Sequence, residues 1–516
     1  MVRALTGAVL GALLAGCANP ARVPSKPARA PTENDAVPMS VPEEYRWRPL
    51  SAEAGARTFS RDGIGDPYGA GIAYPVWLAL LETYPDELGG TVAGFQRKFG
   101  FLSAPLPESD PDRAVPLGFH LTVDPNTQVS FVMMNCAACH AEVLRLPDGP
   151  RLVMGLGNKR VRMHDYDAAL MRIASSPTFT TERLGKAARR AAHRHGATWP
   201  PGSRGAIVDA SVRGFRERAR LRGPDAIRLA QGALPGRVAT IESFALALRT
   251  HGAEISIGAT PGYAKVPDVV GFPYRKTFSY DGSGIGAPST LAVEADFAFG
   301  VRAEWYETQR HIGTSLYLYL RSFSRQLKYP GKLDEALARR GQDTFDARCA
   351  TCHGHYSGPS GERRISYAER VIPVQQVGTD RARLDAVSDQ FVRAANALPL
   401  ARGLAEVVPT GGYVPPVLLD VWARGVYGHA GQWPSVAFLA LPEDQRPQRF
   451  IVDAEAAYDL EGLGTRYRLA APGADVGPGS YLQDATRRGY GTGGHPYLSD
   501  LDAASRRAVL EYLKTL

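Results

Sequence analysis

The pentapeptide Cys136-Ala137-Ala138-Cys139-His140 occurs a second time as Cys349-Ala350-Thr351-Cys352-His353. In both copies two thiols about one helical turn apart are followed at once by a histidine, which is the spacing of c-type haem attachment. The thiols of such a motif form thioethers with the vinyl groups of one porphyrin, and the histidine binds the iron. The sequence therefore predicts two covalently bound haem c groups, with His140 and His353 as axial iron ligands.

A single copy of this motif is also compatible with a redox dithiol, a disulfide or half of a zinc site. The presence of two copies argues against zinc, because a four-cysteine site places its two knuckles roughly 15–20 residues apart. Cys139 and Cys349 instead lie in different halves of the chain, and the motifs contain every cysteine except Cys17. Haem attachment accounts for both copies together.

The chain has 516 residues, of which 44% are hydrophobic, and this is enough for two or three separate cores. Its net charge is +8 and its pI is about 9.2. The basic residues do not form a motif of the kind that nucleic-acid-binding proteins use, so we expect no nucleic-acid partner. A moderately basic surface suits docking of an acidic redox partner, and it equally suits plain solubility.

The first seventeen residues have the organisation of an export signal. Arg3 precedes an apolar run over residues 9–14, which is too short to span a bilayer. The run ends in Leu14-Ala15-Gly16-Cys17, which resembles the bacterial lipoprotein signal, although an ordinary signal peptide with a chance cysteine remains an alternative. We expect an exported protein of the bacterial cell envelope, with a lipid anchor on Cys17 that faces the periplasm or the cell surface.

The remaining chain divides by composition. Residues 1–17 are predicted to be the lipoprotein signal peptide, and residues 18–45 a Pro/Ala-rich tether. Residues 46–260 are predicted to form an N-terminal haem c domain with a basic helical insertion, broken near Pro200. An inter-domain connection over 261–332 and a C-terminal cytochrome c domain over 333–516 complete the chain. The predicted fold class is mainly α, with two cytochrome c-type haem domains, long loops and little sheet.

Two helices frame the second motif in this prediction. Residues 333–345 have the pattern of a helix that leads into Cys349. A closing helix runs to Leu516, with Ser499 as its predicted N-cap. A leading and a closing helix around a haem motif are what a cytochrome c module requires.

The second axial position of each iron is usually taken by methionine or histidine. None of the seven methionines follows the second motif, so its haem has no methionine ligand from its own domain. His355 is too close to His353 to reach the opposite face of the ring, which leaves His429 and His495. His495 lies in a glycine-rich loop that permits close approach of the backbone, and His429 is the alternative.

For the first motif, three residues follow at workable distance: Met154, Met163 and His164. An open or exchangeable axial position is equally compatible with the sequence. The residues Phe131, Val132, Met133 and Met134 precede the first motif, and they are suited either to a dry pocket or to plain core.

Several stretches resemble the di-haem bacterial cytochrome c peroxidase superfamily, and most closely its branch of rubber oxygenases and lipid dioxygenases. The resemblance runs from about Asp66 to Leu516. It is carried by Ile72-Ala73-Tyr74-Pro75-Val76-Trp77-Leu78, Val153-Met154-Gly155-Leu156-Gly157-Asn158, Trp422-Ala423-Arg424-Gly425-Val426-Tyr427-Gly428-His429-Ala430-Gly431 and residues 491–516. It implies that His495 is the distal ligand of the second haem, and that His429 lies beside a haem edge, on a propionate.

The chain departs from this family at the relay between the haems. The family has a tryptophan there in a Trp-x-Gly context, whereas the matching segment here is Phe278-Ser279-Tyr280-Asp281-Gly282. The resemblance makes Tyr280 a candidate catalytic relay, with a buried structural tyrosine as the alternative. It also makes Phe297 or Phe299 a candidate for the distal side of the first haem.

Three functions fit these observations. The first is a di-haem oxidoreductase that activates peroxide or dioxygen at the N-terminal haem and uses the C-terminal haem as an electron relay. The second is a rubber oxygenase-like dioxygenase of an apolar or lipid substrate. The third is a non-catalytic electron-transfer lipoprotein. The missing methionine favours the oxygenase branch, because a bis-histidine haem has a lower potential than a methionine-ligated one.

Overall fold

The computed structural model describes residues 50–286, 302–399, 401, 405–477 and 479–516. The predicted signal peptide with Cys17, the tether, Phe297 and Phe299 lie outside the described residues. The described α-helices are α1 Ala52–Ser60, α2 Tyr74–Thr83, α3 Pro85–Leu88, α4 Val92–Phe99, α5 Met163–Ser175, α6 Thr181–His195, α7 Arg204–Gly232, α8 Thr240–Thr250, α9 Tyr306–Arg321, α10 Glu335–Arg348, α11 Ala350–His353, α12 Val374–Val377, α13 Ala382–Asp385, α14 Asp389–Asn396, α15 Val436–Leu439 and α16 Ala503–Leu513.

Short strands alternate with these helices. They are β1 Ile72–Ala73, β2 Phe119–Val123, β3 Ser130–Met134, β4 Ala141–Leu146, β5 Gly149–Met154, β6 Arg237–Val238, β7 Ala264–Lys265, β8 Gly284–Ile285, β9 His355–Ser357, β10 Arg364–Ser366, β11 Ile372–Pro373, β12 Glu406–Val407, β13 Gly412–Tyr413, β14 Arg449–Asp453, β15 Tyr467–Leu469 and β16 Ser480–Asp484. Within the described ranges they form seven small antiparallel sheets, β1-β3-β2, β15-β14-β16, β4-β5, β6-β7, β8-β12, β9-β10 and β11-β13.

The prediction of a mainly α fold with little sheet is therefore wrong. The described residues are 41% helix and 14% strand, a mixed α and β fold. The hairpin of β4 and β5 directly after the first motif shows why. Its register runs from Ala141 opposite Met154 to Leu146 opposite Gly149. The Asp148-Gly149 turn signal and the alternating residues before it are a hairpin pattern. Extended segments between turns pair with each other because their backbone groups need hydrogen-bond partners.

Two helix pairs, α1 with α9 and α10 with α16, are built in the same way. A Cβ atom added at Gly55 would lie 1.9 Å from the carbonyl oxygen of Ser315, and one added at Gly341 would lie 1.9 Å from that of Ala508. Four residues after each glycine a phenylalanine contacts a tyrosine of the partner helix. The ring centroids are 5.4 Å apart for Phe59 and Tyr319, and 5.2 Å apart for Phe345 and Tyr512.

Each motif is thus accompanied by one closely packed helix pair, which we call its frame: α1 with α9 for the first motif and α10 with α16 for the second. The glycines allow the two backbones to approach closely, and the aromatic rings fill the space beside the crossing. Helix α9 lies inside the segment predicted as an inter-domain connection, and it supplies the partner helix of the first pair.

Several predicted elements are confirmed with adjusted ends. The leading helix is present as α10, with Asp334 as its N-cap. The closing helix is present as α16, but its N-cap is Asp502, whose carboxylate accepts from the backbone of Ala504 and Ser505. The basic helical pair is present as α6 and α7, and the break near Pro200 is confirmed. Among the described helices, none is both long enough and apolar enough to cross a bilayer.

Candidate functional site

The first motif lies in a tight turn between two strands. Residues Cys136–Ala138 form a 3-10 turn after β3, and the side chain of Asn135 accepts from the backbone of Ala137 at 3.1 Å. Strand β4 begins directly after His140. The turn therefore presents two thiols and one imidazole to the same space.

The second motif continues a helix instead. Helix α10 ends at Arg348, and the short helix α11 carries the motif to His353. Gly354 then ends the turn with a φ of 84°, a backbone conformation that favours glycine. The four motif thiols are not joined in disulfides.

Both motif histidines make the same hydrogen bond. Nδ1 of His140 donates to the carbonyl oxygen of Pro267 at 2.9 Å, and Nδ1 of His353 donates to that of Pro416 at 2.8 Å. A carbonyl only accepts, so each ring carries its proton on Nδ1 and keeps a lone pair on Nε2. Burial lowers the pKa of both imidazoles, which favours the neutral form that binds metal ions.

One continuous cavity of about 2670 Å³ is lined by both motifs. A pocket for one small ligand has a volume of roughly 300–1,000 Å³, so this cavity has room for more than one large group. Its wall contains the four motif cysteines, both motif histidines and His495. Apolar side chains such as Phe59 and Leu513 line much of the rest.

The ring of His495 lies near that of His353, and the role of both as ligands of one iron stays a prediction. The two ring centroids are 6.1 Å apart and the ring planes are inclined at 51°. An imidazole nitrogen binds a metal ion at roughly 2.0–2.1 Å, so two imidazoles on opposite sides of one ion have centroids roughly 6 Å apart. The observed separation fits this arrangement.

The loop around His495 is held in place by hydrogen bonds. The backbone N–H of His495 donates to the carbonyl of Val377 at 2.7 Å, and the residue has a φ of 54°. Arg446 donates to the carbonyls of Thr492 and Gly494 at 2.8 and 2.7 Å. Burial lowers the pKa of His495 to about 3, and the neighbouring His353 adds to this shift, so the imidazole is neutral.

His429 has a different environment. Its ring stacks on Tyr413 with a centroid distance of 4.4 Å, and burial lowers its pKa to about 4. Its Nε2 atom is buried without a hydrogen-bond partner among the described residues. The same is true of the hydroxyl of Tyr280 and of Nε and Nη1 of Arg383.

These three side chains line the cavity; those of Arg383 and His429 are buried, and that of Tyr280 is partly buried with its hydroxyl oxygen inside. Arg383 also lies 3.8 Å from a carboxylate oxygen of Asp281 and donates to the hydroxyl of Ser279 at 3.0 Å. Buried polar atoms are normally paired, so unpartnered donors in a cavity wall indicate the place of a polar group. A guanidinium there favours an anionic one.

Tyr280 shares this wall with a lysine. The ammonium of Lys265 lies 5.5 Å from the centroid of the Tyr280 ring, and burial lowers the pKa of Lys265 to about 8. Burial raises the pKa of Tyr280 well above its ordinary value, so its phenol remains protonated. The structure therefore brings Tyr280 into the cavity, and the relay role stays a prediction.

The three candidate axial ligands for the first motif differ in whether they line the cavity and in whether another group engages them. Met163 lines the cavity, whereas Met154 lies in β5 and packs against apolar core. His164 also lines the cavity, but its Nε2 accepts from the backbone N–H of Ala239 at 2.8 Å. This bond occupies the lone pair that would bind a metal ion. The ring of Phe59 lies 6.3 Å from that of His140.

Sequence reasoning missed the proline carbonyls, Arg383 and the pairing of α1 with α9, whereas it predicted both helices of the second pair. Carbonyl acceptors carry no sequence signal. The frame helices do carry one, because Gly55-Ala56-Arg57-Thr58-Phe59 and Gly341-Gln342-Asp343-Thr344-Phe345 share a Gly-x-x-Thr-Phe pattern. Within the described residues, no cluster of three or more His, Cys, Asp or Glu side chains forms a metal site.

No family model matches the chain. The uncharacterized protein y4iM of Sinorhizobium fredii (strain NBRC 101917 / NGR234) is 27% identical over 229 residues, which cover 36% of this chain and 50% of that protein. The chain thus spans about half the length of this curated relative. The similarity identifies a relative without naming an activity.

Proposed function

We propose that this chain is an exported di-haem c-type cytochrome oxidoreductase that activates peroxide or dioxygen at the first motif and uses the second as an electron relay. One observation carries the proposal. Two Cys-x-x-Cys-His motifs line a single large cavity, and each motif histidine is fixed with its Nε2 lone pair available. This combination suits two large prosthetic groups side by side.

The described residues fit a haem at the second motif. Cys349 and Cys352 would attach it, and His353 and His495 would hold the iron from its two faces. A porphyrin supplies the four equatorial nitrogens itself, so a bis-histidine site needs no cluster of three protein ligands. The unpartnered atoms of Arg383, His429 and Tyr280 would offer hydrogen bonds to the carboxylates of such a group.

The first motif fits a haem with one histidine ligand. Cys136 and Cys139 would attach it and His140 would bind its iron. His164 is engaged by the backbone of Ala239, and Met163 is the cavity-lining methionine nearby in sequence. Haem iron with an open or weakly held axial position supplies the chemistry of binding and reducing peroxide or dioxygen. Phe59 and Leu316 line the cavity and belong to an apolar cluster that includes Cys136, which would limit the access of water to the first motif.

Covalent haem content tests the proposal directly. The intact mass of the purified protein should exceed that of the polypeptide by two haem groups, and denaturing gels should stain for haem. A mass with no added group would contradict the proposal. Carbon monoxide should then bind the reduced protein with a stoichiometry near one. Binding of none, together with no turnover of peroxide or dioxygen, would favour pure electron transfer.

A second candidate is a rubber oxygenase-like dioxygenase of an apolar or lipid substrate. The extent of apolar wall favours it, because Phe215, Phe244 and Leu248 line the same cavity as the first motif. Product analysis after incubation with dioxygen and an unsaturated lipid or polyisoprene separates this reading from peroxide reduction, which consumes peroxide without modifying either compound.

Location is part of the proposal. We propose that Cys17 carries a lipid anchor in the cell envelope, since Leu14-Ala15-Gly16-Cys17 resembles a lipoprotein signal. Cys17→Ser should release the protein from membrane fractions while both haems remain attached. Unchanged fractionation would contradict the anchor without touching the haem assignment.

A further inference from the structure

A buried ion pair connects the loop whose carbonyl accepts from His140 with the loop whose carbonyl accepts from His353. Pro267, the acceptor for His140, is followed directly by Asp268. The carboxylate oxygen Oδ2 of Asp268 lies 3.3 Å from Nε of Arg424. Both side chains are nearly buried, with 11% and 5% of their surface exposed.

Arg424 continues the connection to the second loop. Its Nη2 donates to the carbonyl oxygens of Val417 at 2.6 Å and Leu419 at 2.8 Å. Val417 directly follows Pro416, the acceptor for His353. One guanidinium therefore contacts Asp268, next to the first acceptor, and the backbone next to the second.

The two charges lie at opposite ends of this connection. Asp268 directly follows Pro267, whose carbonyl accepts from His140. The Arg424 guanidinium is bonded to the backbone directly after Pro416, whose carbonyl accepts from His353. The negative charge of the pair therefore belongs to the loop of the first histidine, and the positive charge is held by the loop of the second.

We propose that Asp268 and Arg424 are positioning residues that join the two histidine-bearing loops and set the difference in reduction potential between the two iron sites. This inference rests on the proposed function, because it requires an iron on each histidine. A carboxylate near His140 stabilises the more positive oxidised iron and lowers its potential. A guanidinium near His353 stabilises the reduced iron and raises its potential. The pair therefore favours placing a stored electron at the second site.

The test uses the purified holoprotein with two neutralising variants, Asp268→Asn and Arg424→Gln. The matched controls are Glu511→Gln and Lys514→Gln, which break another buried ion pair of 2.9 Å with side chains 10% and 5% exposed. Haem content is measured first by intact mass. Potentiometric titration followed by optical absorbance then gives the potential of each site.

Asp268→Asn should raise the potential of the first site, and Arg424→Gln should lower that of the second. We expect the ratio of reduced to oxidised iron to change about tenfold, which corresponds to about 59 mV for one electron. Arg424→Lys keeps the charge but loses the planar donors, so it should restore most of the second-site potential. The controls should change neither ratio by more than about twofold.

The outcomes separate this inference from the function on which it rests. A protein without covalent haem contradicts both. Two attached haems with unmoved potentials, or shifts of the same sign and size as in the controls, overturn only the role of the ion pair. If Arg424→Gln does not mature, Asp268→Asn still decides the matter, because an unmoved potential of the first site in that variant overturns the role of the ion pair.

Discussion

The two motif regions share a frame but differ in what lies between the frame and the motif. In the second region α10 ends directly before Cys349, so helix and motif form one continuous element. In the first region, strands β1–β3 and helices α2–α4 separate α1 from Cys136. The glycine and aromatic contacts of the frame are nevertheless nearly the same in both. Segments can therefore be inserted within the frame while the helix crossing is maintained.

The side chains around His140 and His353 differ more than the two helix pairs do. The ring of His495 lies 6.1 Å from that of His353, whereas His164 in the wall near the first motif is engaged by the backbone N–H of Ala239. Under the proposed function this difference would separate a closed relay site from an open reactive site. One motif would then serve two roles because the side chains around it differ. The following predictions test that contrast.

The largest expected effect is loss of one prosthetic group at a time. Cys136→Ser with Cys139→Ser, and Cys349→Ser with Cys352→Ser, should each remove the mass of one haem, because thioether formation needs the thiols. The variant with Cys349→Ser and Cys352→Ser should also lose more thermal stability than the other double variant, since the second motif is continuous with helix α10. Intact mass and circular dichroism melting measure both. Retention of two haems in either variant would contradict the assignment.

The second prediction concerns the axial position of the second iron. His495→Ala should open this position and raise the carbon monoxide stoichiometry from about one to about two, because a filled axial site excludes the ligand. His429→Ala is the matched control and should leave the stoichiometry at one, since its ring stacks on Tyr413. An increase in His429→Ala instead of His495→Ala would exchange the two roles.

The third prediction addresses the frame. Gly55→Ala and Gly341→Ala should each lower the free energy of unfolding by about 1–3 kcal/mol or more, because the added methyl group would meet a backbone carbonyl at 1.9 Å. Gly205→Ala, in α7, is the control. A Cβ there has no neighbour within 4 Å, so alanine should be neutral or stabilising. Chemical denaturation measures all three, and equal effects at the three sites would argue against close crossings.

The smallest effect belongs to the caps of the two leading helices. The side chain of Ser51 accepts from Ala54 at the start of α1, and that of Asp334 accepts from Leu337 at the start of α10. Ser51→Ala and Asp334→Ala should each cost about 1 kcal/mol of stability. Asp334→Ala should cost more, because a carboxylate also interacts with the helix dipole. A larger loss in Ser51→Ala, measured by denaturation, would reverse this order.

The helical elements were predictable where periodicity and capping residues coincide. Helix α10 follows from its pattern and from Asp334. The closing helix was predicted with the wrong cap, because Ser499 and Asp502 are both good N-cap residues and only the packing of the chain selects between them. The hairpin after the first motif was not predicted, because a mainly helical domain was expected there. Its turn signal at Asp148-Gly149 was nevertheless present in the sequence.

Residue types and their spacing were enough to identify the two Cys-x-x-Cys-His motifs, the absence of a methionine after the second, and His429 and His495 as its remaining ligand candidates. The folded chain was needed to find which of these histidines lies near His353, which carbonyl accepts from each motif imidazole, and that Asp268 contacts Arg424. These contacts join positions far apart in the chain, so their geometry depends on how the loops pack around one cavity.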